Sequence, residues 1–269
     1  MIRSAHAAFP TTVHPFSSPT PYSCAYERGS SSARNALVFI GGLTSGPHAM
    51  DLTFLTNMLE QSPGLDFSLW EFRMRSSYSG FGYSSLANDA EDTAALVQYL
   101  RSIGKEKIVL VGSSTGCQGC LEYANRDKYQ TPPVDGYVLV SPVSDREAAF
   151  LFMAPEDLEK SIKVAKAMIE RGQKNDAMPK HFLPPFFTSP LTAYRWHSLA
   201  AKGGDDDYFS SDLPDSTLAA TFGQVDKPLL LLPAGEDEMV PPGVDKKALL
   251  GRWTMLFRKQ KRRVGWQEE

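Results

Sequence analysis

Five short runs rich in aliphatic residues recur along the chain: Asn35–Ile40 (NALVFI), Phe67–Arg73 (FSLWEFR), Lys107–Val111 (KIVLV), Gly136–Val140 (GYVLV) and Pro228–Leu232 (PLLLL). All but Phe67–Arg73, which carries Ser68, Glu71 and Arg73, are nearly continuous in apolar residues rather than alternating, the pattern of strands covered on both faces. Helical patterns separate them. In Ser85–Leu100, Leu86, Ala90, Leu96, Val97 and Leu100 gather on one side and Asp89, Glu91 and Asp92 on the other, which predicts a helix lying on the sheet with its acids in water. Strand and helix alternating in this way predict an α/β fold with a mainly parallel sheet flanked by helices. Residues 1–34, rich in Ser, Pro and Thr, are expected to form an irregular N-terminal arm or an edge hairpin before the main domain, 35–269.

The rhythm breaks between about residues 145 and 226. That stretch holds a charged helical pattern, Pro155–Gly172, and a proline-punctuated aromatic run, HFLPPFFTSPLTAYRWH. An insertion placed there, after a sheet strand, is expected to cover the strand ends as a lid and to select the substrate.

A chain of 269 residues supports one sizeable core. Its net charge of −3, with signs intermixed, argues against nucleic acid as a partner. No apolar run is long enough to span a membrane, and MIRSAHAAFP has no sustained apolar core of a secretory signal, so a cytoplasmic location is expected. Three cysteines do not make a disulfide framework. Cys117 and Cys120, spaced C-x-x-C, read better as small buried residues on one helix face than as a redox pair.

Directly after KIVLV comes Gly112-Ser113-Ser114-Thr115-Gly116, a G-x-S-x-G pentapeptide centred on Ser114. A sharp strand-to-helix turn forces its central residue into a strained conformation, and glycines two positions away on each side leave room for it. Ser114 is therefore the candidate nucleophile of acyl transfer. Such chemistry needs two backbone N–H groups aimed at the developing oxyanion. The Gly41-Gly42-Leu43 turn after the first main strand and the residue after the nucleophile would supply them, from Leu43 and Thr115. Asp237, in the acidic loop GEDEMV after the last apolar run, is correctly ordered to orient an imidazole, because the order in such enzymes is Ser, then acid, then His. No histidine follows it; His6, His14, His48, His181 and His197 all precede it. Of these, His48 lies near the oxyanion turn, while His181 and His197 belong to the lid. Asp205-Asp206-Asp207 reads as a solvated turn rather than a cation site. The basic stretch from Arg252 to Arg263 reads as a solvated final helix, and Gly112–Gly119 lacks the Gly-Lys-Ser/Thr ending of a phosphate loop. No cofactor or metal is expected.

With these residues in view, the chain resembles the fungal DUF1749 family of α/β hydrolases, which includes esterases of fusarinine-type siderophores. The likeness runs through FIGGLTSG (39–46), RSSYSGFGYSSL (75–86), VGSSTGCQ (111–118), PVSDREA (142–148), DDYFSSDL (206–213) and GEDEMVPPGVDK (235–246). It implies an α/β-hydrolase fold with Ser114 as nucleophile and Asp237 as acid, acting on a small-molecule ester, in particular a hydroxamate siderophore. It also implies a last strand and a histidine-bearing loop after Gly265–Glu269, so the sequence reads as shortened there. Two alternatives stay open: an esterase or lactonase acting on another fungal metabolite, and a pseudoenzyme that binds a small ligand without turnover. The sequence does not decide the oligomeric state.

Overall fold

The computed structural model describes residues 8–263. Gly265–Glu269, where the resemblance expects the chain to continue, lie outside the described residues. The strands are β1 (Thr12–Pro15), β2 (Cys24–Arg28), β3 (Asn35–Ile40), β4 (Phe67–Phe72), β5 (Ile108–Ser113), β6 (Gly136–Val140) and β7 (Leu229–Leu232). The helices are α1 (Thr53–Glu60), α2 (Leu86–Ser102), α3 (Gly116–Tyr123), α4 (Arg126–Tyr129), α5 (Asp145–Ala148), α6 (Pro155–Glu170), α7 (Ala193–Ala200), α8 (Asp215–Phe222) and α9 (Lys246–Arg263). One sheet runs in the order β1-β2-β4-β3-β5-β6-β7, parallel from β4 to β7. The leader is not irregular throughout. β1 and β2 pair antiparallel, and β2 pairs antiparallel with β4, so an edge hairpin extends the sheet.

Alternate strand residues face opposite layers. Ala36, Val38 and Ile40 of β3 with Ile108 and Leu110 of β5 pack under α2, α3, α8 and α9 in the largest cluster. Leu37, Phe39 and Val111 face α1 through Leu55 and Leu59. α9 is not a merely solvated helix: Trp253 is buried and stacks on Phe222. α2 corrects another expectation. It starts at its cap Ser85, whose hydroxyl accepts from the Asn88 N–H, but Asp89 and Asp92 are buried. The Asp92 carboxylate accepts from Thr20 Oγ1 at 2.9 Å and from the Arg75 N–H at 2.7 Å, which fixes the leader and the β4–α2 connection to the helix.

Between β6 and β7 the chain builds a separate core. Leu158, Ala165 and Met168 of α6 pack on Trp196 and Leu199 of α7 and on Phe187, and the Trp196 indole N–H donates to Ser161 Oγ at 2.9 Å. β7 forms one sheet edge. Leu229 and Leu231 pack on the main core, whereas Leu230 and Leu232 are 52% and 44% exposed. No helix among the described residues is long and apolar enough to cross a membrane.

Candidate active site

β5 ends at Ser113 and α3 begins at Gly116, leaving Ser114 and Thr115 to make the turn. Ser114 takes φ +53°, the left-handed region that costs an L-residue about 1–3 kcal/mol and persists only where neighbours hold it. Two backbone bonds do so: the Ser114 N–H donates to the Val140 carbonyl of β6 at 3.0 Å, and the Ser114 carbonyl accepts from the Cys117 N–H at 2.8 Å. The flanking glycines are required by space. A Cβ on Gly116 would lie 2.2 Å from the Ile40 carbonyl oxygen, and one on Gly112 would lie 2.3 Å from the Gly116 carbonyl oxygen. Ser114 itself is half-buried, with its side chain at the edge of a cavity.

The turn after β3 closes over it. A Cβ on Gly42 would stand 2.9 Å from Ser114 Cβ and 3.3 Å from its Oγ, so only glycine lets this loop approach the serine so closely. Leu43 and Thr115 line the same cavity as Ser114. The loop is itself strained, with Thr44 at φ +66° and His48 at φ +64°, and Tyr78, at φ +57°, braces it by donating its hydroxyl to the Pro47 carbonyl. His48 also lines the cavity. Glu71, buried at the end of β4, accepts the His48 backbone N–H at 2.9 Å and lies 3.3 Å from its Nδ1.

The cavity measures about 1090 Å³. Its outer wall comes from the segment between β6 and β7, through Phe152, Phe186, Phe187 and Trp196; His181, Phe182 and Tyr194, also in the aromatic run, do not line it. Asp145, at the start of α5, lines it beside the serine. Its carboxylate accepts from Thr115 Oγ1 at 3.2 Å and from Gln118 Nε2 at 2.8 Å. Burial, reinforced by the nearby Asp206 charge and opposed by Arg195, pushes this carboxyl up to about 7. Asp237 does not line the cavity. It sits half-buried on the loop after β7 and accepts the N–H of Met239, which does line it, at 3.0 Å.

Other sequence readings resolve as follows. The Asp205–Asp207 run is solvated only at Asp205, which is exposed, and not at its other two acids. Asp206 is buried against Arg195 at 2.6 Å and accepts from Ser198 Oγ at 2.6 Å, while buried Asp207 pairs with Arg146 at 3.1 Å. Among the described residues no cluster of three or more His, Cys, Asp or Glu could hold a metal. Cys117 and Cys120 are buried free thiols, pushed upward by desolvation, which disfavours the reactive thiolate. Burial lowers His197. Glu71 and Asp145 carry no signal in the sequence, and Asp89 is placed there in solvent, since a carboxylate held by contacts distant in sequence leaves no local signature.

Residues 2–268 match the family described as "Protein of unknown function (DUF1749)". A Schizosaccharomyces pombe relative, UPF0613 protein PB24D3.06c, is 34% identical over 244 residues, covering 85% of this chain and 76% of its own. Fusarinine C esterase sidJ of Aspergillus fumigatus is 31% identical over 268 residues, covering 81% of this chain and 75% of its own. Among solved structures, the siderophore hydrolase EstB from Aspergillus fumigatus superposes with a TM-score of 0.77 at 29% identity, covering 97% of this chain and 88% of that one. An α/β-hydrolase fold protein at 20% identity and TM-score 0.64 shares the architecture. The fold is that of the α/β hydrolases.

Proposed function

The chain belongs to the DUF1749 family, and on that premise we propose that it is an ester hydrolase that uses Ser114 as its nucleophile on an ester of a small metabolite, a hydroxamate siderophore by analogy with the relatives named for fusarinine C and siderophore hydrolysis. The observation that carries this reading is Ser114 itself: strained at φ +53°, half-buried, and opening on a cavity of about 1090 Å³ under the close approach of Gly42. Ser114 Oγ attacks the ester carbonyl and the alcohol departs; water then releases the acid. The Leu43 and Thr115 N–H groups stabilise the oxyanion, each such donor being worth about 10²–10³ in rate. Asp237 has the role of orienting an imidazole, supported by its loop position after β7. The segment 145–226 acts as the lid, its aromatic wall suiting a bulky, partly polar ester. Three free thiols suit a reducing, cytoplasmic setting.

A second reading, a protein that binds such a ligand without turning it over, draws on one observation: among the described residues no histidine hydrogen-bonds to Ser114 Oγ. One experiment separates the two. The chain and Ser114→Ala are assayed against a trihydroxamate siderophore ester and p-nitrophenyl acetate, with binding of the siderophore measured in parallel by calorimetry. Esterase action requires Ser114→Ala to lower kcat/KM by about 10³-fold or more, with the siderophore preferred. Equal rates with and without Ser114 refute it. Binding that survives the substitution, with no Ser114-dependent turnover, selects the second reading.

A further inference from the structure

Among the described residues that line the Ser114 cavity, Asp145 is the one carboxylate; the others are aliphatic, thioether, aromatic, hydroxylic or amide-backbone groups, with His48 on the opposite loop. Asp145 also stands next to the chemistry, because it takes a hydrogen bond from the side chain of Thr115, the residue after Ser114. Its two oxygens accept one bond each, from Thr115 and Gln118, while a carboxylate can accept about four. Among the described residues no cation pairs with it directly. The Arg195 guanidinium is spent on Asp206 at 2.6 Å and on the Phe81 carbonyl at 3.0 Å, and Arg146 on Asp207 and Asp212. Half-burying a carboxylate with two neutral donors and no cation beside it is costly, and this desolvation raises its proton affinity. A cation entering the cavity would relieve that cost.

We infer that Asp145 is the specificity-determining residue of this cavity and selects esters that carry an ammonium group a few bonds from the reacting carbonyl. The short reach follows from its contact with Thr115. The aromatic wall of Phe152, Phe186, Phe187 and Trp196 suits the same ligand, since ring faces attract a desolvated cation. The inference rests on Ser114 being the nucleophile of the proposed esterase.

Two activated esters of equal shape test it: p-nitrophenyl 4-(trimethylammonio)butanoate and its neutral isostere, p-nitrophenyl 5,5-dimethylhexanoate. In each, the Ser114 Oγ–acyl bond forms, p-nitrophenolate leaves and the hydroxyl proton passes to water. The second-order acylation rate is read from p-nitrophenolate release, normalised to hydrolysis in buffer, and the adduct is located by mass spectrometry. The whole chain is expected to prefer the cationic ester at least tenfold, Asp145→Asn to lose that ratio and Asp145→Glu to retain it. A ratio of one or less in the unsubstituted chain overturns the inference even if neither variant folds. A loss in Asp145→Asn that is equal for both esters also overturns it, because the carboxylate then only positions Thr115. If neither ester acylates Ser114, the esterase reading fails first and the inference falls with it.

Discussion

Asp89 is the sharpest quantitative probe of how charge is buried behind the loop 41–47. Its side chain lies on α2, 9% exposed, and its Oδ1 has no hydrogen-bond partner. Burial, with Asp92 and Asp206 adding and Ser76 and Arg195 opposing, raises this carboxyl from 3.8 to about 7. A raised acid holds its proton more tightly in the native state than in the unfolded chain. Between pH 3.8 and about 7 the unfolded chain ionises while the native state does not, so stability falls as pH rises through that window and levels off above it. At 1.36 kcal/mol per pK unit, the native state forfeits about 4 kcal/mol above pH 7. Asp89→Asn removes the titration and keeps the shape. Relative to the unsubstituted chain, the variant is expected to gain about 1 kcal/mol of stability at pH 4.5, about 3 kcal/mol at pH 6 and about 4 kcal/mol at pH 8, the gain levelling off above pH 7. The assay is urea denaturation across that range, followed by tryptophan fluorescence. Asp145, raised in the same sense, keeps titrating in the variant, so its own profile still falls, but less steeply. Parallel profiles for the two proteins would refute the argument, because they would mean that Asp89 ionises freely in the folded state.

Two further substitutions read the geometry directly. Gly42→Ala puts a Cβ 2.9 Å from Ser114 Cβ and so pushes the loop off the serine; acylation of Ser114 by p-nitrophenyl acetate is expected to fall about 10²-fold with the circular dichroism spectrum unchanged, and an unaltered rate would exclude that loop from the oxyanion site. Leu232→Lys charges the exposed face of the edge strand β7, so light scattering at high concentration is expected to show less self-association than in the unsubstituted chain; equal scattering would count against β7 as an adhesive edge.

How much of this was legible in the sequence depended on the range of the forces involved. The five parallel strands and the turn at Ser114 could be read because apolar runs and glycine spacing are local consequences of burial and steric exclusion. β1 and β2 were harder, since TVHP and CAYER have little apolar signal and are held by partners far along the chain, including Lys105, which donates to Glu27 at 2.8 Å. The amphipathic reading of α2 put Asp89 and Asp92 in solvent because periodicity reports which face is apolar and says nothing of Arg75, Thr20 or Arg195 approaching from elsewhere. The Asp205–Asp207 run misled for the same reason, as its counter-ions sit at Arg146 and Arg195. Asp237 and Leu43 were read from order and analogy, and the structure puts Leu43 at the cavity and Asp237 two residues from a lining side chain.

The parallel order of the sheet also sets when the strained turn at Ser114 comes into being. β5 lies between β3 and β6, with Ile108 opposite Ala36 and Ser113 opposite Val140, and the turn is clamped by Val140 on one side and by the Ile40 carbonyl against Gly116 on the other. Helices α2 and α3 can form from local contacts, but that clamp exists only once three strands distant in sequence have zipped together, a step that loop-closure entropy makes slow. During refolding, helical content therefore accumulates ahead of the strained turn at Ser114, and formation of that turn serves as a clock for completion of the sheet.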